Sequence, residues 1–344
     1  DIFIYKDKET IILRDKNKKD VAYEDTQEIV RMRELVRDYK RLLESAFVDM
    51  PKLNEPVIVI PTKKKYGKPT PIFISQNEKF IRRIFSNSSW EQNGRFNGGW
   101  WQRIDGKHRK DIRMNEMTTV EIDYSSLHVI LAYAEAGLDY WQNTDKDPYD
   151  LPVRGVNNPE HCRKIAKLFF LLSFNASTEQ SLFKAFRSEL NYTDYPYSLP
   201  DEVLSELLAS IKEHHPDVAH LICSGAGLRL MNIDSRICEY VIADFIQTHT
   251  PILTVHDSFI VPFGEEDRLN QLMKEAFKQV TQKVSIKVKF NENLTKQQLY
   301  VHGAQDRNWF LSMIDTLRKG EPTDGYKRRL ESHREHFSGD GAKA

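Results

Sequence analysis

The chain has 344 residues, enough for one large domain or two to three subdomains with a sizeable core. Hydrophobic residues make up 40% and charged residues 29%, and Lys+Arg equals Asp+Glu at 50 each, so net charge identifies no polyanionic partner and any basic surface is local. Cys162, Cys223 and Cys238 have no paired spacing, and no signal peptide or long apolar run is evident; this excludes a disulfide frame or zinc finger and points to an intracellular, cytoplasmic protein without membrane contact.

The chain opens at Asp1 without a Met, which fits an excised fragment. Residues 2–5 and 10–13 read as two strands around a charged turn. Asp25–Val48 reads as a helix, with Asp25 as cap and Glu28 three residues on. Its apolar stripe is Ile29, Met32, Leu35, Val36, Tyr39, Leu42, Leu43 and Ala46. The opposite face carries Arg31, Arg33, Arg37, Lys40 and Arg41, which suits either plain solvation or a phosphate backbone. Val57–Ile60 and Pro71–Ile74 read as strands around a basic loop that contains Lys63, Lys64, Lys65 and Lys68. In Asn93–Arg113, Gly98 and Gly99 permit close backbone approach to a ligand. Trp100 and Trp101 suit base stacking or a core, and Arg95, Gln102, Arg103 and Arg109 offer donors to phosphates and base edges.

Thr119–Gly137 organises the rest. Val120 and Ile122 alternate with Glu121 and Asp123, the period of a half-buried strand; Leu127, Ile130, Leu131 and Ala134 then recur at helical spacing. Asp123 thus sits where a strand becomes a helix, a place that suits a cap or a metal ligand. Asp147-Pro148-Tyr149 marks a turn, and Asn158–Phe174 reads as a helix capped by Asn158 with Pro159 in its first turn. Arg163 and Lys167 share a face of it, as a triphosphate site requires and as any exposed basic stripe also does. Leu204–His214 and Ile233–Gln247, the latter with Asp234 as cap, read as helices. Pro251–Pro262 reads as a hairpin with His256 and Asp257 near its tip. Two carboxylates on neighbouring strand ends suit a pair of Mg²⁺ ions. Asp267–Val280 is expected as a helix, Val284–Phe290 as a strand, and the region from Arg318 as a short helix with a frayed tail.

Four of these stretches, in order across about residues 93–290, resemble the family A DNA polymerases and the related single-subunit phage-type RNA polymerases. Asp123-Tyr124-Ser125-Ser126-Leu127-His128 is similar to the first catalytic motif, D-Y-S-x-I/L-E. Arg163 through Lys167 resembles the start of the fingers motif R-x-x-x-K, Val255-His256-Asp257-Ser258-Phe259 resembles the second catalytic motif, and Gly94-Arg95-Phe96 with Gln102 resembles the primer-template segment. The resemblance implies an α+β right hand: an antiparallel palm, helical fingers and a reduced helical thumb. The boundaries that go with it are 1–92 for N-terminal strands and thumb-like helix, 93–157 and 233–300 for the palm, 158–232 for the fingers, and 301–344 for a C-terminal helix and charged tail. It implies two Mg²⁺ ions, with Mn²⁺ as substitute, on Asp123, Asp257 and the Tyr124 carbonyl. It makes Asp123, Asp257 and Lys167 catalytic. Arg163, Lys167, Leu171, His128 and Tyr124 fall at the nucleotide, and Arg95, Gln102, Asn175 and His256 at primer and template.

The sequence departs from the family at Leu171, where a Phe or Tyr stacks on the incoming base, and at Asn175-Ala176, where the family has Tyr-Gly. His128 replaces the sugar-sensing Glu, and Ser258 follows the second Asp as in the RNA polymerase branch. The expected function is a template-directed nucleotidyltransferase, a DNA polymerase without proofreading, because no stretch ahead of the first long helix has room for an exonuclease. The alternatives are an RNA polymerase or primase of the same fold, and a nucleic-acid-binding protein on a decayed polymerase fold.

Overall fold

The computed structural model describes residues 9–62, 67–191, 194–291 and 321–340. The strand expected at residues 2–5 and the centre of the basic loop lie outside them. β1 (Ile11–Leu13) leads to α1 (Gln27–Ser45), whose cap is Thr26, with its hydroxyl accepting from the Ile29 amide. Asp25, the expected cap, pairs with Arg33 instead. The apolar stripe is buried as its spacing predicts, except for Leu35, which is half-buried. On the basic face, Arg33, Arg37, Lys40 and Arg41 have acidic partners in Glu9, Asp25, Asp38 and Glu44, which favours plain solvation over phosphate contact.

β2 (Val48–Asp49) is followed by a hairpin of β3 (Val57–Ile60) and β4 (Thr70–Phe73). β5 (Arg82–Ser86) and β6 (Ser89–Asn97) form a second hairpin, with β1 parallel to β5. Its alternation is hidden in the sequence because an arginine occupies a core position. Arg83 is buried, with its guanidinium bonded to Glu239 at 2.6 Å and to the Gly94 carbonyl at 2.9 Å. Trp100 and Trp101 are fully buried, so neither stacks on a base; losing either to Ala would cost about 3–5 kcal/mol.

The sheet that positions the site is antiparallel. β7 (Arg113–Met114), β8 (Met117–Tyr124), β9 (Leu253–Val255), β10 (Ser258–Pro262) and β11 (Val288–Asn291) join β2 in the order β2-β7-β8-β10-β9, with β11 on the free edge of β8 beyond β7. Residues 284–287, expected in the last strand, precede it without strand pairing. Asp123 pairs in register with Ser258 on one side and Lys289 on the other.

The helices after α1 are α2 (Gly106–Arg109), α3 (Leu127–Glu135), α4 (Tyr140–Asn143), α5 (Pro159–Ser173), α6 (Glu179–Glu189) and α7 (Asp201–His214). α8 (Gly227–Gln247) and α9 (Glu266–Thr281) follow, and the described chain ends with α10 (Asp324–Asp340). α8 starts six residues earlier than expected, so Asp234 lies inside the helix, buried, and caps nothing. Gly227 opens that helix, and a Cβ there would fall 2.1 Å from the Asn175 side-chain oxygen. α10 runs 17 residues rather than forming a short helix; Arg329 anchors it on the fully buried Asp49 at 2.8 and 2.9 Å. Among the described residues, no helix is long and apolar enough to cross a membrane.

Candidate active site

The β-branched run Thr118-Thr119-Val120 and Ile122 favours a strand up to Tyr124. Ser126, at φ 60° and ψ 31°, then turns the chain sharply into α3. Asp123 is therefore held between two rigid elements. His256 and Asp257 form the two-residue turn between β9 and β10, with His256 at φ 56°. The Tyr124 amide donates to the Asp257 carbonyl at 3.2 Å, which ties that turn to the end of β8. The strand register thus sets Asp123 opposite Ser258, beside the turn that carries Asp257.

Asp123 is the strained member of the pair. Asp123 Oδ1 is buried without a hydrogen-bond partner. Burial, and then repulsion from Asp257, push the Asp123 carboxyl up to about 7, against the pull of Lys167 and Lys289. Orphaned oxygen beside a second carboxylate is a donor set that fits a hard divalent cation. Among the described residues no cluster of three or more His, Cys, Asp or Glu has metal-holding geometry, so the remaining ligands would be the Tyr124 carbonyl, water and substrate oxygens. Tyr124 contributes only its backbone: its ring is buried on the opposite face and its hydroxyl donates to the Met273 carbonyl.

On one side of this pair lies Arg95, from β6. It bonds Asp234 at 2.6–2.7 Å and donates to His128 Nε2 at 3.0 Å. A guanidinium can only donate, so His128 Nε2 accepts and the ring is the neutral Nδ1–H tautomer. Burial and then the Arg95 charge depress His128 to about 4. His256 is also depressed, by burial first and then by Arg95.

On the other side lies α5. Asn158 caps it through the His161 amide at 3.0 Å, and Pro159 occupies its first turn, as the sequence predicts. Arg163, Lys167 and Leu171 follow one another down one face. Arg163 pairs with Asp147 at 2.7 Å, and the Tyr149 ring lies 5.5 Å from the Arg163 guanidinium and 5.9 Å from Lys167 Nζ. Lys167 is exposed, and its charge acts on Asp123. Leu171 is half-buried.

Two expected nucleic-acid contacts are engaged elsewhere. Gln102 Nε2 donates to the carbonyls of Phe96 and Thr254 at 3.0 and 2.9 Å, and its Oε1 accepts from the Gly98 amide, so it braces a loop against β9. Asn175 is exposed, its amide donates to the Leu171 carbonyl at 3.4 Å, and its side chain lies over the space a Cβ at Gly227 would take.

The residues missed from sequence surround the acids. Glu121 is buried and receives both Arg109, at 2.8 and 3.1 Å, and the Ser258 hydroxyl, at 2.8 Å. That network fixes the start of β10 beside Asp257. Tyr149 and Asp147 were legible only as a turn. Lys289 was legible as one side of the alternation in Lys287-Val288-Lys289. A cleft of about 1270 Å³ is lined in part by Arg109, Glu121, Ser125, Lys274, Lys287 and Lys289, and by neither Asp123 nor Asp257. Its cations are a local cluster within the neutral whole-chain charge, with Arg109 paired to Glu121 and Lys287 to Asp145.

No protein-family model matches the chain, and no curated protein matches it. Among solved structures it is similar to the POL domain of Pol1 from M. smegmatis, in complex with DNA primer-template and dNTP. The identity is 14% and the TM-score 0.37, over 63% of this chain and 49% of that one. The chain thus spans about half the length of that structure, and a likeness of this degree leaves the functional reading to the site itself.

Proposed function

We propose that the chain is a template-directed nucleotidyltransferase of the DNA polymerase kind, built as a right hand. The antiparallel sheet around β8 and β10 would be its palm, α5 the face of its fingers, and α1 its reduced thumb. The observation that carries this reading is the orphaned Asp123 oxygen beside Asp257, with Lys167 of α5 acting on the same carboxyl.

The reaction joins a primer 3′-oxygen to the α-phosphorus of a nucleotide and breaks the bond to the β-phosphate. Two Mg²⁺ ions, or Mn²⁺, held by Asp123, Asp257 and the Tyr124 carbonyl would stabilise the charge on the attacking and leaving oxygens. Arg163 binds the phosphates through its guanidinium fork. Lys167 holds the leaving pyrophosphate and gives it a proton. The Tyr149 ring contacts both cations. Neutral His128 faces the sugar, and His256, in the turn beside Asp257, faces the primer end. Arg95 acts mainly through His128, whose tautomer it fixes. The Lys274, Lys287 and Lys289 cleft carries nucleic-acid phosphates, a contribution that weakens with salt.

A second reading, an RNA polymerase or primase, is favoured by one observation. The neutral His128 leaves no carboxylate at the sugar position. One gel separates the readings. A labelled primer on a DNA template is extended with Mg²⁺ and either dNTPs or NTPs, alongside Asp257→Ala. Extension with dNTPs that falls at least a thousandfold in the variant, about 4 kcal/mol of transition-state stabilisation, is the expected result. Extension only with NTPs selects the second reading. Retained duplex binding with no extension in any lane overturns the primer-extending readings and leaves a primer-independent or partner-dependent enzyme, or a binding protein.

A further inference from the structure

The cation that should receive the nucleotide already holds an anion. Arg163 Nε and Nη2 both reach one oxygen of Asp147, at 2.8 and 2.7 Å. The other oxygen accepts from the Tyr149 amide at 2.8 Å, so the loop itself sets the carboxylate in place. The Tyr149 ring, meanwhile, gives the guanidinium a second contact, 5.5 Å from the ring centre.

The pair is built to come apart. Its side chains are 43% and 37% exposed, and only one carboxylate oxygen engages the fork. Water competes for both partners there. The Arg109–Glu121 pair shows what a permanent clamp looks like in the same molecule. It is 16% and 10% exposed, and Arg109 contacts both carboxylate oxygens. A phosphate oxygen presents the same acceptor chemistry as the Asp147 oxygen, with more charge.

We propose that Asp147 is a phosphate placeholder that sets how tightly the site takes a polyphosphate. An arriving triphosphate displaces Asp147 from Arg163, and Asp147 reclaims Arg163 as pyrophosphate departs. The guanidinium keeps its contact with the Tyr149 ring throughout. This rests on the reading of Arg163 and Lys167 as the nucleotide's binding pair.

The test is equilibrium dialysis of the full chain with labelled dTTP, and with inorganic pyrophosphate as competitor. Asp147→Asn retains an acceptor for the Tyr149 amide, so the loop is kept while the charge is lost. It is expected to bind both anions about fivefold more tightly. Asp150→Asn removes the same charge three residues away, from an exposed side chain, and is expected to change binding less than about twofold. In an Arg163→Ala background the gain from Asp147→Asn should vanish. Equal or weaker binding by Asp147→Asn overturns the proposal and makes Asp147 a support for Arg163. A gain that persists without Arg163 also overturns it, as general charge repulsion. If Arg163→Ala leaves dTTP binding unchanged, the nucleotide site itself fails, and this proposal fails with it.

Discussion

Two arginines flank the Asp123–Asp257 pair, and the molecule holds them in opposite ways. Arg95 is 15% exposed and its partner Asp234 is 3% exposed. Arg163 and its partner Asp147 are 43% and 37% exposed. Sequence resemblance assigns both arginines to nucleic acid or nucleotide, yet burial separates their roles. A charge pair withdrawn from water is costly to open, because each ion left alone must be resolvated where water cannot reach. A pair in water opens at little cost. Arg95 is therefore a fixed strut between β6, α8 and His128, and Arg163 is a donor free to change partner.

The largest effect should come from breaking the buried pair. Asp234→Ala leaves the Arg95 charge buried without the carboxylate it bonds, which should cost about 3–5 kcal/mol in denaturant unfolding. The combined Arg95→Met, Asp234→Leu change should recover most of that loss, since no uncompensated charge remains. A loss under about 1 kcal/mol in the single variant would show that water reaches Arg95, and the contrast with Arg163 would collapse.

That contrast marks where the sequence is readable. Local signals were sufficient for α5, because Asn158 and Pro159 announce its start. They were sufficient for β8 and the β9–β10 turn, where alternation and a polar break place Asp123 and Asp257. They failed wherever a charge is neutralised from far along the chain. Arg83 hides the β5–β6 hairpin because its partner Glu239 lies 156 residues away. Asp234 resembles a cap because Arg95, 139 residues earlier, cannot be seen as its partner. Glu121 reads as the polar side of a strand until Arg109 and Ser258 close on it. Asp147 was legible as a turn former, and the helix it contacts was legible too, but the contact depends on how the loop folds back.

The carboxylate pair between the two arginines gives the next effect, and it reads directly as pH dependence. Asp123 is pushed from 3.8 up to about 7, by burial first and Asp257 second. Between those values the folded chain keeps a proton that the unfolded chain releases. The stability this contributes is fully present below about pH 4 and is lost as pH rises through 7. Asp123→Asn removes the charge without removing the shape. In EDTA at pH 8 the variant should be more stable than the parent chain by roughly 1–3 kcal/mol, with the gap narrowing toward pH 5. Millimolar Mg²⁺ should stabilise the parent chain and leave the variant unmoved, since a ligand stabilises only the state that binds it. Thermal melts at the two pH values decide this; a variant less stable at pH 8 would mean that Asp123 has a permanent partner.

The smallest effect sharpens the comparison most. Asp147→Asn removes the charge facing Arg163 while its side-chain oxygen still accepts from the Tyr149 amide. With both partners in water, the change in unfolding free energy should stay within about 1 kcal/mol of zero. Arg163 keeps its second contact, with the Tyr149 ring. Denaturant unfolding of this variant beside Asp234→Ala then compares an arginine that has lost an exposed partner with one that has lost a buried partner. Near-equal losses would mean that exposure does not separate the two pairs, and Arg163 would be as fixed as Arg95. A loss confined to Asp234→Ala leaves Arg163 as the arginine able to exchange its carboxylate for a phosphate, which is what a site that binds and releases polyphosphates at every turnover requires.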